Sequence, residues 1–149
     1  MKFAREPYSA NLVGEMMPLF EKHYREIAAF KDIALAPDLA KYELLGAIGG
    51  LRIFTARMGD KLMGYEIVFV GPNLHYRASL QAQQDILFLD PSMRKGLTGY
   101  KFIAWCDDQL KAEGVEVIMQ HVKMAHDFTP ILERLGYQKH DIVMARRLN

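Results

Sequence analysis

The stretch that most constrains how this chain can fold runs from Asp85 to Tyr100. Ile86-Leu87-Phe88-Leu89 is a continuous apolar run of the length expected for a buried strand. Asp90-Pro91 ends it, because proline has no N–H to give a sheet and fixes its own φ. Arg94-Lys95-Gly96-Leu97-Thr98-Gly99 follows, a short glycine-bearing loop with two cations and a hydroxyl. Ile103, Cys106 and Leu110 then fall at i, i+3 and i+7, with Lys101, Asp108 and Lys111 off that face, which predicts a helix. Strand, glycine loop and helix in this order aim several backbone N–H groups and a positive dipole end at an anion.

The rest of the chain reads around that unit. Residues 1–8 are short and mixed, suited to an edge strand. From Ser9 to about Phe30, Leu12, Met16, Leu19, Phe20 and Ile27 recur at helical spacing, with a kink or break expected at Pro18. After a linker over 31–36, Pro37 opens a second helix through Leu39, Tyr42, Leu45 and Ile48, which Gly49-Gly50 ends. Leu51–Arg57 and Lys61–Val70 alternate as strands about a Gly59-Asp60 turn, a hairpin. Gly71-Pro72-Asn73 turns again, and the next strand begins either at His75 or near Ala82. Past Glu113-Gly114, Val115–Val122 reads as a half-buried strand. Asp127 or Thr129 caps a short helix with Pro130 in its first turn, ended by Gly136, and Tyr137–Leu148 reads as a final strand. The order β-α-α-β-β-β-α-β-α-β predicts an α+β domain around a mixed, mostly antiparallel sheet flanked by helices, one domain over 1–149.

Composition narrows the classes of function. At 149 residues and a net charge of +1, the chain has no general pull toward nucleic acid or membrane, and Arg146-Arg147 is no nucleic-acid patch. The first residues, MKFAREPY, place charge where a signal peptide would be apolar, and no run nears the roughly 18 residues of a membrane span. With one cysteine, Cys106, no intrachain disulfide is possible, and a cytoplasmic location is the expectation. His121, His126 and Asp127 fit no standard zinc spacing, so no metal is expected.

Neither common phosphate-binding pattern is present: there is no Gly-x-x-x-x-Gly-Lys-Ser/Thr and no Gly-x-Gly-x-x-Gly. The amides from Lys95 to Gly99, the Thr98 hydroxyl and the flanking cations can hold a pyrophosphate, or the loop can simply turn the chain. Asp90 to Gly99 resembles the acetyl-CoA loop of the GCN5-related N-acetyltransferases, usually R/Q-x-x-G-x-G/A after a strand ending in proline. Ile131-Leu132-Glu133-Arg134-Leu135-Gly136-Tyr137 resembles the late helix signature of that superfamily, F-Y-x-K-x-G-F, and the element order is similar too. In flavour the resemblance is to uncharacterised members encoded by bacteriophages and their hosts.

The resemblance implies an enzyme that moves acetyl from acetyl-CoA to an amine by direct attack in a ternary complex. The acceptor would be a small molecule or a peptide or protein amine, and a homodimer is possible. Backbone groups of Phe88 and Leu89 would pair with the pantetheine arm, and Arg94, Lys95, Gly96, Leu97, Thr98 and Gly99 would hold the pyrophosphate. Asp85 stands where many relatives carry the carboxylate that deprotonates the amine; a partly buried carboxylate of raised pKa suits that task. His23, Tyr24, Glu26 and Tyr76 are candidate acceptor contacts, each with the plain alternative of a solvated surface residue.

Two departures stand out. The loop reads Arg94-x-Gly96-x-x-Gly99, a shifted glycine register, and Leu132 holds the place where most relatives have the tyrosine that protonates the leaving thiolate. His126, or else His121, can take that role. Leu132 favours the alternative of a catalytically silent CoA-binding or protein-interaction (virion-associated) module; Asp85 and the Arg94–Gly99 loop favour the enzyme.

Overall fold

The computed structural model describes residues 1–149. The elements are β1 (Lys2–Glu6), α1 (Ala10–Ile27), α2 (Leu39–Ala47), β2 (Leu51–Met58), β3 (Lys61–Pro72), β4 (Leu80–Leu89), α3 (Thr98–Ala112), β5 (Val117–Met119) and α4 (Thr129–Arg134). The five strands form one sheet in chain order, antiparallel throughout except for β5, which runs parallel to β4. This is the α+β architecture expected of the sequence, with the antiparallel meander placed before a single crossover through α3.

Alternation along β2 and β3 divides the core in two. One face presents Ile53, Tyr65 and Ile67 to Leu12, Met16, Leu19 and Phe20 of α1, with Tyr42 and Leu45 of α2 at the margin. The opposite face presents Phe54, Val68 and Ala82 to Phe102, Cys106 and Leu110 of α3. The period-2 pattern of each strand thus separates the residues that meet α1 and α2 from those that meet α3.

The helix termini differ in detail from the sequence reading. Ser9 caps α1, its hydroxyl accepting from the Leu12 N–H at 3.1 Å, and the helix continues through Pro18 without a break. Pro18 removes one ladder N–H, which would have reached the Gly14 carbonyl, while the apolar face of α1 stays seated on the sheet. Asp38, not the Pro37 turn, begins α2, accepting from the Lys41 N–H at 3.0 Å. At α4 the Asp127 carboxylate accepts the Thr129 N–H at 2.8 Å, and the helix itself opens at Thr129.

Two expectations of strand length fail. The strand expected over Val115–Val122 shrinks to Val117–Met119, because β5 leaves β4 after three pairs, Gln81↔Val117, Ala82↔Ile118 and Gln83↔Met119. The strand expected over Tyr137–Leu148 does not form, so the order ends at α4. That segment carries a period-2 pattern but no ladder to join. Ile142 and Met144 are 88% and 87% exposed, and Arg147 ties the tail to Asp32 at 2.8 Å, far in sequence from β5. A strand pattern without a partner edge leaves its backbone groups to water.

Candidate active site

The parting of β4 and β5 creates the site. Beyond Gln83 and Met119 the two strands no longer exchange backbone bonds, and the Gln84 side chain bridges the gap by accepting the His121 N–H at 2.6 Å. A cleft of about 310 Å³ opens from there. One wall is Gln84–Leu89; the other comes from His121, Lys123 and the 126–131 segment; α1 contributes His23, Glu26 and Ile27 and α3 contributes Gly99, Phe102 and Ile103.

Asp85 sits in this wall for a backbone reason. The β3–β4 register passes from Ile67↔Ile86 to Val68↔Gln84, so Asp85 is the extra residue of a β-bulge. A bulge bends its strand and re-aims a side chain. Here the Asp85 carboxylate accepts a hydrogen bond from the Tyr42 hydroxyl of α2. Burial, and the carboxylate after it, push the Tyr42 phenol well above its usual range, so it remains a donor.

Next to this pair, His23 Nδ1 meets the Tyr65 hydroxyl at 3.2 Å, with the imidazole packed 5.2 Å from the Phe88 ring. Burial drives His23 down to about 4, against a partly offsetting attraction from Glu26, so the ring is neutral at ordinary pH. Glu26 receives both ends of the Arg94 guanidinium, Nη1 at 2.6 Å and Nη2 at 2.7 Å, and lies 3.2 Å from His126 Nδ1. The Arg94 fork holds the Glu26 carboxyl below its ordinary range. Arg94 Nε also donates to the Leu89 carbonyl at 2.7 Å, and the guanidinium lies over the Phe88 ring.

The glycine loop meets the cleft through Gly96 and Gly99. Gly96 has φ +67°, a left-handed turn that a side chain would strain, and a short 3₁₀ turn at Pro91–Met93 leads into it. No side chain caps α3, since the N-cap residue is the apolar Leu97, and the Thr98 hydroxyl turns toward the Lys95 carbonyl at 3.4 Å. The first N–H groups of that helix therefore have no side-chain partner at the end of the cleft where the sequence places an anion.

The sequence-derived candidates are therefore gathered unevenly. Asp85, His126, His23, Glu26, Phe88, Leu89, Arg94, Gly96 and Gly99 line the cleft together. Lys95, Leu97 and Thr98 complete the loop without lining the cleft. Tyr24 does not line it: its hydroxyl lies within hydrogen-bond reach of the Lys31 and Ile33 carbonyls, to one of which it donates, and shapes the α1–α2 connection. Tyr76 is 68% exposed on the β3–β4 loop, outside the cleft. Leu132 is buried at 5% exposure, while its neighbour Ile131 forms the wall, its Cδ1 3.5 Å from where a Gly99 Cβ would stand. Sequence reasoning missed Tyr42 and Gln84 as site residues, because only the bulge and the split bring them to Asp85 and His121.

No protein-family profile matches the chain, and neither does any curated protein. Solved structures do resemble it. An aminoglycoside acetyltransferase from an uncultured soil metagenomic sample, in complex with sisomicin, aligns with a TM-score of 0.75 at 16% identity, over 99% of this chain and 96% of that one. A ribosomal-protein-alanine N-acetyltransferase from Brucella melitensis biovar Abortus 2308 aligns at TM-score 0.72 and 15% identity, over 99% of this chain and 100% of its own. A predicted acetyltransferase with acetyl-CoA from Clostridium acetobutylicum aligns at 0.71 and 10%, over 99% and 97%. The chain has the fold of these acetyltransferases from end to end.

Proposed function

We propose that this protein is a GCN5-related N-acetyltransferase that moves acetyl from acetyl-CoA to an amine by direct attack. The observation that carries this reading is the parting of β4 from β5, with the bulge residue Asp85 in the resulting wall. A strand edge freed along Gln84–Leu89 offers backbone groups to an extended amide-bearing arm, as an added strand would. The uncapped start of α3, with Gly96 and Gly99 close to the cleft, suits the pyrophosphate. Lys95, Leu97 and Thr98 supply the remaining amides and charge of that loop.

The chemistry needs a neutral amine. Asp85 takes the proton as the amine nitrogen attacks the thioester carbonyl carbon. The carbon–sulfur bond then breaks, and the departing thiolate takes a proton from His126 or from water. Tyr42 fixes the direction in which the Asp85 carboxylate points. The acceptor lies against His23 and Glu26, and its class, small amine or peptide amine, follows from the α1–α2 connection that Tyr24 shapes and the loop that carries Tyr76. A cytoplasmic location and a phage or bacterial origin are part of the same proposal.

A second reading, a silent CoA-binding or interaction module, is favoured by one observation: no tyrosine lines the cleft. Thermal melts with saturating acetyl-CoA, CoA and ATP, followed by an amine screen read as CoA release, separate the two. A ligand at a hundredfold its Kd adds about 2.7 kcal/mol, roughly 5–10 °C here. A shift with both CoA forms but not ATP, plus turnover, supports the enzyme; a shift without turnover on any amine supports the module. No shift with any ligand rejects the enzyme and the CoA-binding module and leaves the interaction module.

A further inference from the structure

One carboxyl group is wholly buried and lies outside the cleft. Glu66, at the centre of β3, is 0% exposed and faces α3 between Phe54 of β2 and Leu87 of β4. Its Oε1 accepts the Gln120 Nε2–H at 2.5 Å. Two buried polar atoms have no partner: Glu66 Oε2 and Gln120 Oε1. Both belong to this one pair. As a carboxylate, Glu66 can only accept, and so can the Gln120 carbonyl, so an ionised Glu66 leaves both oxygens unpaired. A buried unpaired acceptor is costly, and a buried unpaired charge far more so.

We propose that Glu66 is a neutral carboxylic acid in the folded protein, its Oε2–H donating to Gln120 Oε1 while its Oε1 accepts from Gln120 Nε2, and that this closed ring positions the cleft wall that begins at Gln120. One proton satisfies both orphaned oxygens. Gln120 is the residue after β5, where the parallel ladder has ended, and His121, Lys123 and the 126–131 segment follow it into the wall. With the Gln83 and Gln84 side chains, which hold His121, the Glu66–Gln120 ring ties the root of this wall to the sheet.

The groups facing Glu66 are the Cys106 thiol and Asp107 from α3, Gln120 after β5 and Tyr137 after α4, and none carries positive charge. Burial pushes the Glu66 carboxyl up to about 7 despite the Gln120 and Cys106 contacts, and burial also raises Asp107 to about 6 against the lowering hydrogen bond from the Tyr137 hydroxyl at 2.7 Å. The proton on Glu66 therefore stabilises the fold fully below the unfolded value of 4.5, and that stabilisation is lost as pH rises to about 7. His23, lowered to about 4 on the other face of the sheet, slopes the opposite way, so a wild-type pH curve alone hides the effect.

The informative quantity is the melting temperature of Glu66→Gln minus that of the wild type, followed across pH in the full chain. A glutamine reproduces the ring, donating from Nε2 and accepting at Oε1, and cannot ionise. The difference is expected to grow by roughly 5–10 °C between about pH 5 and about pH 7.5 and then level off. A difference independent of pH overturns the neutral acid. Should Glu66→Gln not fold, infrared spectra of the Asp107→Asn protein near pH 6 decide it: a carbonyl stretch from a buried neutral acid supports the ring, and its absence overturns it. Amide exchange at His121, corrected for intrinsic rate, tests the positioning. Its protection is expected to fall severalfold above about pH 7 in the wild type and to persist in Glu66→Gln; unchanged protection in the wild type overturns that role.

Discussion

Substituting tyrosine at Leu132 tests where the late helix points its side chains. By resemblance, position 132 is where a phenol would face the departing thiolate, yet Leu132 is 5% exposed and the cleft wall is built by Ile131. If the side chain at 132 is an interior one, a tyrosine there must displace packed neighbours. Overpacking of this kind costs about 1–3 kcal/mol. Its hydroxyl, left without a partner, adds about 1–3 kcal/mol more. For a domain of this size, each kcal/mol moves the melting temperature by about 2–4 °C, so Leu132→Tyr should melt roughly 4–24 °C below the wild type. Leu132→Ala, losing buried methyl groups and leaving a cavity, falls in a similar range of about 2–5 kcal/mol. Ile131→Tyr, at a partly exposed wall position, should cost much less and place its phenol in the cleft. The assay is a fluorescence-detected melt of the three variants, followed by acetyl transfer at fixed acetyl-CoA. If Leu132→Tyr melts with the wild type and turns over faster, the side chain at 132 reaches the cleft after all and the assignment of Ile131 is wrong.

Three further outcomes are expected. Asp85→Asn should lose about 10²–10⁴ in kcat with little change in melting temperature, whereas Tyr42→Phe, which removes the donor that directs the Asp85 carboxylate, should lower kcat by a smaller factor; an unchanged kcat refutes the hydrogen bond as an influence on the base. Gly64→Ala should destabilise by about 1–3 kcal/mol, since a Cβ there would stand 2.6 Å from the Phe88 carbonyl and 2.8 Å from Leu89 Cδ1; a wild-type melt would mean that β3 and β4 are not that close. His23 is lowered from 6.5 to about 4, so the unfolded chain binds the extra proton between those values and folding weakens as pH falls through that window. His23→Gln should flatten that part of the acid melting curve, and an unaltered acid slope would place the titrating group elsewhere.

Much of this architecture is legible in the sequence wherever one residue pattern answers to one local structure. The spacing of Leu12, Met16, Leu19 and Phe20 specifies α1, and Gly59-Asp60 between two alternating runs specifies the β2–β3 hairpin. Gly96, at positive φ, is readable as a turn for the same local reason. What escapes is whatever depends on a partner. The bulge at Asp85 is a one-residue slip between two strands, invisible in either alone. The same blindness runs the other way at Tyr137–Leu148, where alternation predicts a strand and three-residue β5 offers no matching ladder. Tyr42 and Gln120 have no local signal at all; each acquires a role only because a carboxyl from β4 or β3 arrives beside it.

The two walls of the cleft are held by different physics, and that difference bears on which of them moves. The Gln84–Leu89 wall is part of β4, laddered to β3 along its length and anchored through Asp90 N–H to the Met63 carbonyl at 2.7 Å. To displace it, several cooperative backbone bonds and the packing of Phe88 against Tyr65 must break together. The facing wall leaves the sheet at Met119 and is retained by side-chain contacts, Gln83 and Gln84 to His121, Glu66 to Gln120 and Glu26 to His126, with a lone backbone bridge between Lys123 and His126 inside it. None of these is part of a cooperative backbone ladder. Arg94 and Glu26 join the loop to α1 on the β4 side, so the acetyl-CoA end of the proposed site belongs to the rigid wall. His126, the proposed acid, belongs to the looser one. Ligand-induced order should therefore concentrate in residues 120–128, and a Glu66 that loses its proton would release the same segment that the acceptor must find in place.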